Sequence, residues 1–414
     1  MWFYNLGIFF IGLAIKLTSL KKAKAKLWVN GRKNWCTILS VKISNLNAKK
    51  IIWVHCSSYG EFEQGRPVIE AIKKQQPTAK IVLSFFSPSG YEAFKNWDGA
   101  DVVCYLPLDT KQNAKDFLEI VNPTMSIFIK YEFWLNFLFR LKEKAIPTFL
   151  ISAVFKPHQP FFKWYGGIFK KALSTFKLLL IQDEASGKLL ETIHIKNYKV
   201  VGDTRFDRVF DILKTKKELP LIDSFCTNNK ILVVGSSWPK DEEIVLETFK
   251  KLKEKHSNLK LIIAPHEVNK VSVANIEKLM GNLNYSLFTN PTNIDEADVL
   301  IIDTIGVLSQ LYRYATATYI GGGFNDGIHN ILEAMVYEVP VAFGLNHYKF
   351  VEAAETLQLG ISKEISNKDD LLLFFDKLVT NETYRAKLSS EIKNYMQNKS
   401  GATEKILAEV DAIL

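Results

Sequence analysis

The 414-residue chain uses cysteine sparingly: Cys36, Cys56, Cys104 and Cys226 stand far apart, with no C-x-x-C pair and no histidine cluster beside them. That spacing excludes a disulfide scaffold and a zinc ribbon, and it reads as reduced, buried thiols in a cytosolic compartment. No H-E-x-x-H occurs, so a catalytic zinc is not expected, and no G-x-S-x-G marks a hydrolase elbow. No Asp-x-Asp triplet occurs either, which removes a common metal-binding signature and leaves no metal expected. Low-complexity tracts and internal repeats are absent. Acid is missing from residues 1 to 50, which hold ten Lys or Arg, whereas the whole chain carries a formal charge of +9. The rest is therefore almost neutral. Such an asymmetry points to a basic arm for an anionic surface and not to a nucleic-acid-binding coat.

A long hydrophobic run is nearly absent as well. Met1 to Ile15 carries no charge, and the apolar character continues past Lys16 to Leu20 before the run KKAKAK. A signal peptide has its positive charge first, and the order here is the reverse. A span needs about 20 apolar residues, so residues 1–26 are expected to form a marginal membrane anchor with a basic flank on the cytoplasmic side. An apolar helix packed on the protein's own core is the alternative.

What the chain does have is rhythm. With 47% hydrophobic residues it is globular and long enough for two cores. Strands are expected at 51–55, 80–85, 101–106, 125–129, 147–152, 178–182 and 198–202, with amphipathic helices between most of them. After a linker-like interval at 211–229 the rhythm restarts, with strands at 231–236, 259–265, 297–303, 317–323 and 339–344. The pattern predicts α/β architecture with two Rossmann-like, doubly wound domains, 27–210 and 230–414, facing a cleft. In open α/β sheets ligands bind beyond the carboxyl ends of the strands, so those loops should carry the chemistry.

The stretch ATYIGGGFNDGIHNILE, Ala317 to Glu333, is the expected ligand site. Its glycines allow close backbone approach, and a helix expected to open near Gly327 to Asn330 would offer its first N–H groups to an anion. Asn330 and Glu333 would share one helical face. In HCSSYGEFEQG, Glu61 follows a strand end, where partial burial would fit it for a general base, although a carboxylate at that place also simply caps a helix. Glu132 in KYEFW ends another strand, and Arg205 in GDTRFD is suited to meet phosphate charge or to form a local ion pair. His266 and His329 are the histidines on ligand-facing loops; the others read as ordinary polar residues.

With these loops together, the chain resembles the 3-deoxy-D-manno-octulosonic acid (Kdo) transferases, which are GT-B glycosyltransferases with an N-terminal membrane anchor. SSYGEFEQGRPVIEAI is similar to the family's Gly-Glu segment, KYEFWLNFL to its Glu-x-Glu-Leu-Trp-Pro-Asn, and GDTRFD to its Gly-Asn-x-Lys-Phe-Asp. DTIGVL and GGGFNDGIHNILEA resemble its nucleotide-binding segments. The resemblance implies that Glu61 is the base, that Glu132 belongs to the same site, and that Arg205 stands where the family uses Lys. It implies donor contacts at Ile305, Gly306 and Val307 and at Asn330, Ile331, Leu332 and Glu333. Ser236, Pro265, His266, Gly322, Gly323 and His329, on neighbouring loops, complete the expected donor site. The family's Pro-Arg-His-Pro-Glu-Arg appears as APHEVNK, without its arginines, and Ser-Ala-Arg appears as Ser152, Ala153, Val154, followed by the aromatic, basic FKPHQPFFKWYGG. That stretch is expected to serve an acceptor headgroup, to face a membrane, or to start a core-packed helix.

The implied activity is inverting transfer of Kdo from CMP-Kdo to a lipid A precursor, lipid IVA, at the cytoplasmic side of the cell inner membrane, in lipopolysaccharide biosynthesis. The implied partners are CMP-Kdo, that acceptor and membrane lipid, with no cofactor. The rivals are a GT-B transferase using a UDP-sugar on a lipid-linked acceptor, and a non-catalytic membrane-bound relative.

Overall fold

In the computed structural model, which describes residues 1–215 and 217–411, the β-branched runs form two parallel seven-stranded sheets. The first contains β1 (Ile51–Cys56), β2 (Lys80–Phe85), β3 (Val102–Tyr105), β4 (Met125–Ile129), β5 (Thr148–Ala153), β6 (Leu178–Ile181) and β7 (Tyr198–Val200), in the order β3-β2-β1-β4-β5-β6-β7. The second contains β8 (Lys230–Ser237), β9 (Leu259–Pro265), β10 (Tyr285–Leu287), β11 (Val299–Ile301), β12 (Ala317–Ile320), β13 (Val341–Gly344) and β14 (Ser362–Ile365), in the order β10-β11-β9-β8-β12-β13-β14. The central strands read as continuous apolar runs because helices cover both faces. Strand order reverses between β1 and β4 in one sheet and between β8 and β12 in the other. At such switch points the loops diverge and leave a crevice.

The helices are α1 (Trp2–Thr18), α2 (Ala23–Asn30), α3 (Trp35–Ser44), α4 (Tyr59–Gln75), α5 (Pro88–Phe94), α6 (Lys111–Val121), α7 (Leu135–Glu143), α8 (Gly167–Leu173), α9 (Glu184–Thr192) and α10 (Thr204–Lys214). They continue with α11 (Pro220–Cys226), α12 (Pro239–Lys255), α13 (Lys270–Leu279), α14 (Leu308–Leu311), α15 (Leu332–Met335), α16 (Val351–Gln358), α17 (Lys368–Thr380), α18 (Glu382–Lys399) and α19 (Ala402–Asp411). Gly65 lets α4 lie close on its sheet, for a Cβ there would meet Ile129 Cδ1 at 1.9 Å.

The domain boundaries differ from those expected. The chain divides into Met1–Arg208 with Lys399–Leu414, and Val209–Asn398. The C-terminal segment therefore rejoins the first unit and does not stay with residues 230–398. Asp207 accepts the Gly401 and Thr403 N–H groups at 2.6 Å, capping α19, and Ile406, Leu407 and Val410 enter the core beneath α4. The interval 211–229 is no irregular linker either: α11 forms within it and buries Ile222 and Phe225.

The N-terminal segment forms a helix of 17 residues, and among the described residues no helix is long and apolar enough to cross a membrane. One side of α1 docks. Tyr4 Oη donates to Asp109 Oδ2 at 2.5 Å, the Asn136 amide donates to Asn5 Oδ1 at 3.0 Å, and Ile8 and Gly12 are buried. The other side leaves Trp2, Phe3, Phe9, Phe10 and Leu17 exposed. The basic arm is likewise divided: Arg32 lies over Trp28 at 3.8 Å and donates to the Leu106 and Phe86 carbonyls, whereas Lys21, Lys22, Lys24 and Lys26 are exposed.

Candidate active site

The first switch point gathers carboxylates. β1 pairs with β4 from Ile52 opposite Met125 to His55 opposite Phe128, so the loops after Cys56 and Ile129 emerge side by side. Glu61 lies in the first turn of α4, where its Oε2 accepts the Ser58 N–H at 2.9 Å. The capping reading is thus real, and the same carboxyl still has an unusual acidity. Burial raises it first and the Glu132 charge next, to about 7, against the opposing Ser58 and Ser57 N–H groups and the Lys130 charge.

Glu132 is only 7% exposed. Its Oε2 accepts the Trp134 indole N–H at 2.5 Å and lies 3.1 Å from His55 Nε2. His55 Nδ1 is 2.9 Å from Ser84 Oγ, which accepts the Trp53 indole N–H at 2.8 Å. This chain holds the carboxylate in one place. His55, read from sequence as an ordinary polar residue, is instead a fully buried partner of Glu132; its place inside an apolar strand gave the only signal. Lys130 and Trp134 were also missed. Lys130 has a φ of 67°, a left-handed conformation that turns the loop sharply off β4.

Arg205 lies in the first turn of α10, and Asp203 Oδ2 takes both its Nε, at 2.8 Å, and its Nη2, at 2.7 Å. The local ion pair anticipated as the plainer reading is present. The Glu61 and Arg205 charges both act on the Tyr131 phenol, in opposite directions, which places the two groups within electrostatic reach of one side chain. In the aromatic stretch after Val154, Phe155 and Phe161 are core residues, whereas Trp164 is 96% exposed.

The second switch point gathers glycines and rings. The register of β8 slips between Gly235 and Ser237, and Ser236 sits in this bulge with a φ of 53°. A Cβ on Gly321 would meet Ser236 O at 2.3 Å, and one on Gly323 would meet the Gly344 nitrogen at 2.5 Å. The glycines therefore serve close approach to neighbouring backbone. The helix expected from Gly327 does not form there; α15 spans only Leu332–Met335. Gly327 N–H donates to Gly322 O at 3.2 Å, Ile328 N–H to Asn346 O at 3.2 Å and His329 N–H to Gly321 O at 3.1 Å. Carbonyls of this loop and of the loop after β13 thus occupy the amides of Gly327 to His329, so the anion site expected at a helix start there is not built that way. Asn330 therefore precedes the helix and does not share a helical face with Glu333, although its side-chain amide donates to Glu333 Oε1 at 3.2 Å. Ile331 and Leu332 are buried, while Ile305, before Gly306 (φ 87°) and Val307, is exposed.

Beyond Pro265, His266 stacks between Trp238, at 4.7 Å, and His329, at 4.3 Å. The Trp238 indole donates to His329 Nε2 at 3.2 Å, and burial, with the His266 charge second, lowers the His329 imidazole to about 4. Asp241 fastens this group: it accepts the Gly322 N–H at 2.8 Å, the Tyr319 hydroxyl at 2.7 Å and the Trp238 N–H at 3.0 Å. Trp238 and Asp241 were missed, although Pro239 and Asp241 at the first and third helical positions are a legible helix-start signal. Among the described residues no group of three or more His, Cys, Asp or Glu is placed to hold a metal ion.

Two parallel sheets, each with its site at a strand-order reversal, define an α/β protein of the GT-B kind. A solved UDP-GlcNAc 2-epimerase from Neisseria meningitidis shares the fold at a TM-score of 0.60 and 16% identity, over 87% of this chain and 98% of that one. A family model described as 3-Deoxy-D-manno-octulosonic-acid transferase (kdotransferase) matches residues 33–208. The 3-deoxy-D-manno-octulosonic acid transferase of Aquifex aeolicus is 29% identical over 343 residues, covering 82% of this chain and 89% of its own. That of Rickettsia prowazekii is 24% identical over 410 residues, covering 98% and 88%. The chain is thus similar to 3-deoxy-D-manno-octulosonic acid transferases, through the family model over residues 33–208 and through these relatives over most of its length.

Proposed function

We propose that the protein transfers Kdo from CMP-Kdo to a lipid A precursor, with inversion at the anomeric carbon. The observation that carries this reading is the Glu61 carboxyl, raised to about 7 beside the buried Glu132 at the first switch point. An acceptor hydroxyl is too weakly acidic to attack unaided, and a carboxylate of that basicity takes its proton as the oxygen bonds to the anomeric carbon. The bond from that carbon to the CMP phosphate oxygen breaks, and CMP leaves with the electron pair. Arg205, steadied by Asp203, meets the growing phosphate charge. In the C-terminal unit the donor's ribose is held by Glu333 and Asn330, and its base lies against the rings of Trp238, His266 and His329.

In this reading α1 lies in the membrane interface of the cell inner membrane on the cytoplasmic side, with Trp2, Phe3, Phe9 and Phe10 entering the lipid and the exposed lysines facing its headgroups. Incubation with CMP-Kdo and tetraacylated lipid A precursor, followed by mass spectrometry of the lipid, tests the function. A mass increment of one or more Kdo units, with CMP released, is expected. An unchanged lipid, or UDP release from a UDP-sugar in its place, overturns the assignment.

A further inference from the structure

Apart from the switch points, the N-terminal unit has a cavity of about 1080 Å³ formed by α6, α7, α8 and the start of α1. Its wall is strongly one-signed: Lys111, Lys115, Arg140, Lys142 and Lys171 face a single lining carboxylate, Glu143. Arg140 is partly used, with Nη1 on Glu143 at 2.9 Å and Nη2 near Glu119 at 3.8 Å, yet its Nε is buried without a hydrogen-bond partner. A buried donor left unpaired is costly, and an anionic oxygen in the cavity would relieve it. Lys111 and Lys115 have no ion pair among the described residues. The remaining wall is mostly apolar, from Met1, Phe139 and Ile168, with Asn136 its one uncharged polar side chain.

The surroundings select among anions. Met1, which lines the cavity, is followed at once by the exposed Trp2 and Phe3 of α1, and Trp164 and Tyr165 stand exposed just before α8, whose Gly167 and Ile168 line it. A soluble anion would use the cations and leave these apolar groups in water. An amphiphile uses both, with its phosphate among the lysines and its chains along the aromatic and aliphatic surface.

We infer that this cavity, which none of Glu61, Glu132, Arg205 or the donor-side rings lines, binds the headgroup of an anionic glycerophospholipid. The inference rests on the reading of α1 as an interfacial helix, and its test keeps the two apart by using monomeric lipid. The full chain is titrated calorimetrically with dihexanoylphosphatidylglycerol below its micelle concentration, with dihexanoylphosphatidylcholine and inorganic phosphate as parallel arms. Saturable binding of the anionic lipid is expected, about tenfold tighter than either of the others. The double variant Lys115→Glu/Lys171→Glu should weaken it about tenfold or more while leaving the melting temperature and turnover with a detergent-dispersed acceptor unchanged. Equal binding of the zwitterionic lipid, equal binding of phosphate, or an indifferent double variant overturns the inference. Monomer binding by a chain that fails to float with vesicles would sustain the cavity and reject the interfacial helix alone.

Discussion

The two switch points share a topology and treat their titratable groups by the same physics with opposite consequence. Burial favours the neutral form in both: it raises the Glu61 carboxyl to about 7 and lowers the His329 imidazole to about 4. Glu61 therefore changes charge within the working range of a cell, and His329 does not. The carboxylate side is poised to exchange a proton, whereas the ring side, tied by Asp241, is fixed in one protonation state. The proposed transfer would use that division, with one group taking a proton while the donor stays still.

The largest expected effect breaks the first side alone. Glu61→Gln should lower turnover by about 10²–10⁴ and leave CMP affinity nearly unchanged. Wild-type kcat/KM should fall as pH drops below about 7, because the base must be ionised. For stability, a raised carboxyl contributes fully below its unfolded value of 4.5 and loses that contribution as pH rises through about 7. Glu61→Gln should thus gain on the native chain in melting temperature between pH 5 and 8. Equal losses of rate and CMP affinity would make Glu61 a structural residue, and Glu132 would be tested next.

The second side is broken by Glu333→Ala, which should weaken CMP by about 1.5–3 kcal/mol in calorimetric titration, the range for a hydrogen bond involving a charged group. Unchanged affinity would remove Glu333 from the donor site. A smaller effect is expected from Gly321→Ala, whose new Cβ meets Ser236 O and Ser237 Cα, backbone atoms that cannot swing aside. Overpacking of this kind costs about 1–3 kcal/mol, read as a lower unfolding midpoint in denaturant. A midpoint equal to that of the native chain would show that β8 and β12 yield more readily than their spacing suggests.

These sites were legible to different degrees, for physical reasons. The strand cores were plain, because IIWVH and KLIIAP are continuous apolar runs, and the loops that follow them could be named. The edge strands Tyr285–Leu287 and Ser362–Ile365 were not, since short polar edges carry no such run. Gly327 suggested a helix start, yet its φ of 143° belongs to a loop whose amides carbonyls already occupy. His55 looked ordinary because its partner lies 77 residues away, brought near only by the pairing of β1 with β4. The return of α19 rests on Asp207, a carboxylate that reads locally as one more charge on α10.

The smallest expected effect sharpens the comparison most. His329 Nε2 accepts the Trp238 indole N–H, so the ring must be neutral there, with its proton on Nδ1, for the stack to close. An imidazole held near 4 contributes its stability above the unfolded value of 6.5 and loses it as pH falls from there toward 4. Histidine-selective NMR should accordingly show His329 in one neutral tautomer from pH 8 down to 5. Trp238→Phe removes the donor while keeping an aromatic face, and it should raise the His329 midpoint by opening the ring to water. A native His329 that titrates near 6.5 would mean that the stack stands open in solution, and the contrast between a proton-exchanging side and a fixed side would fail.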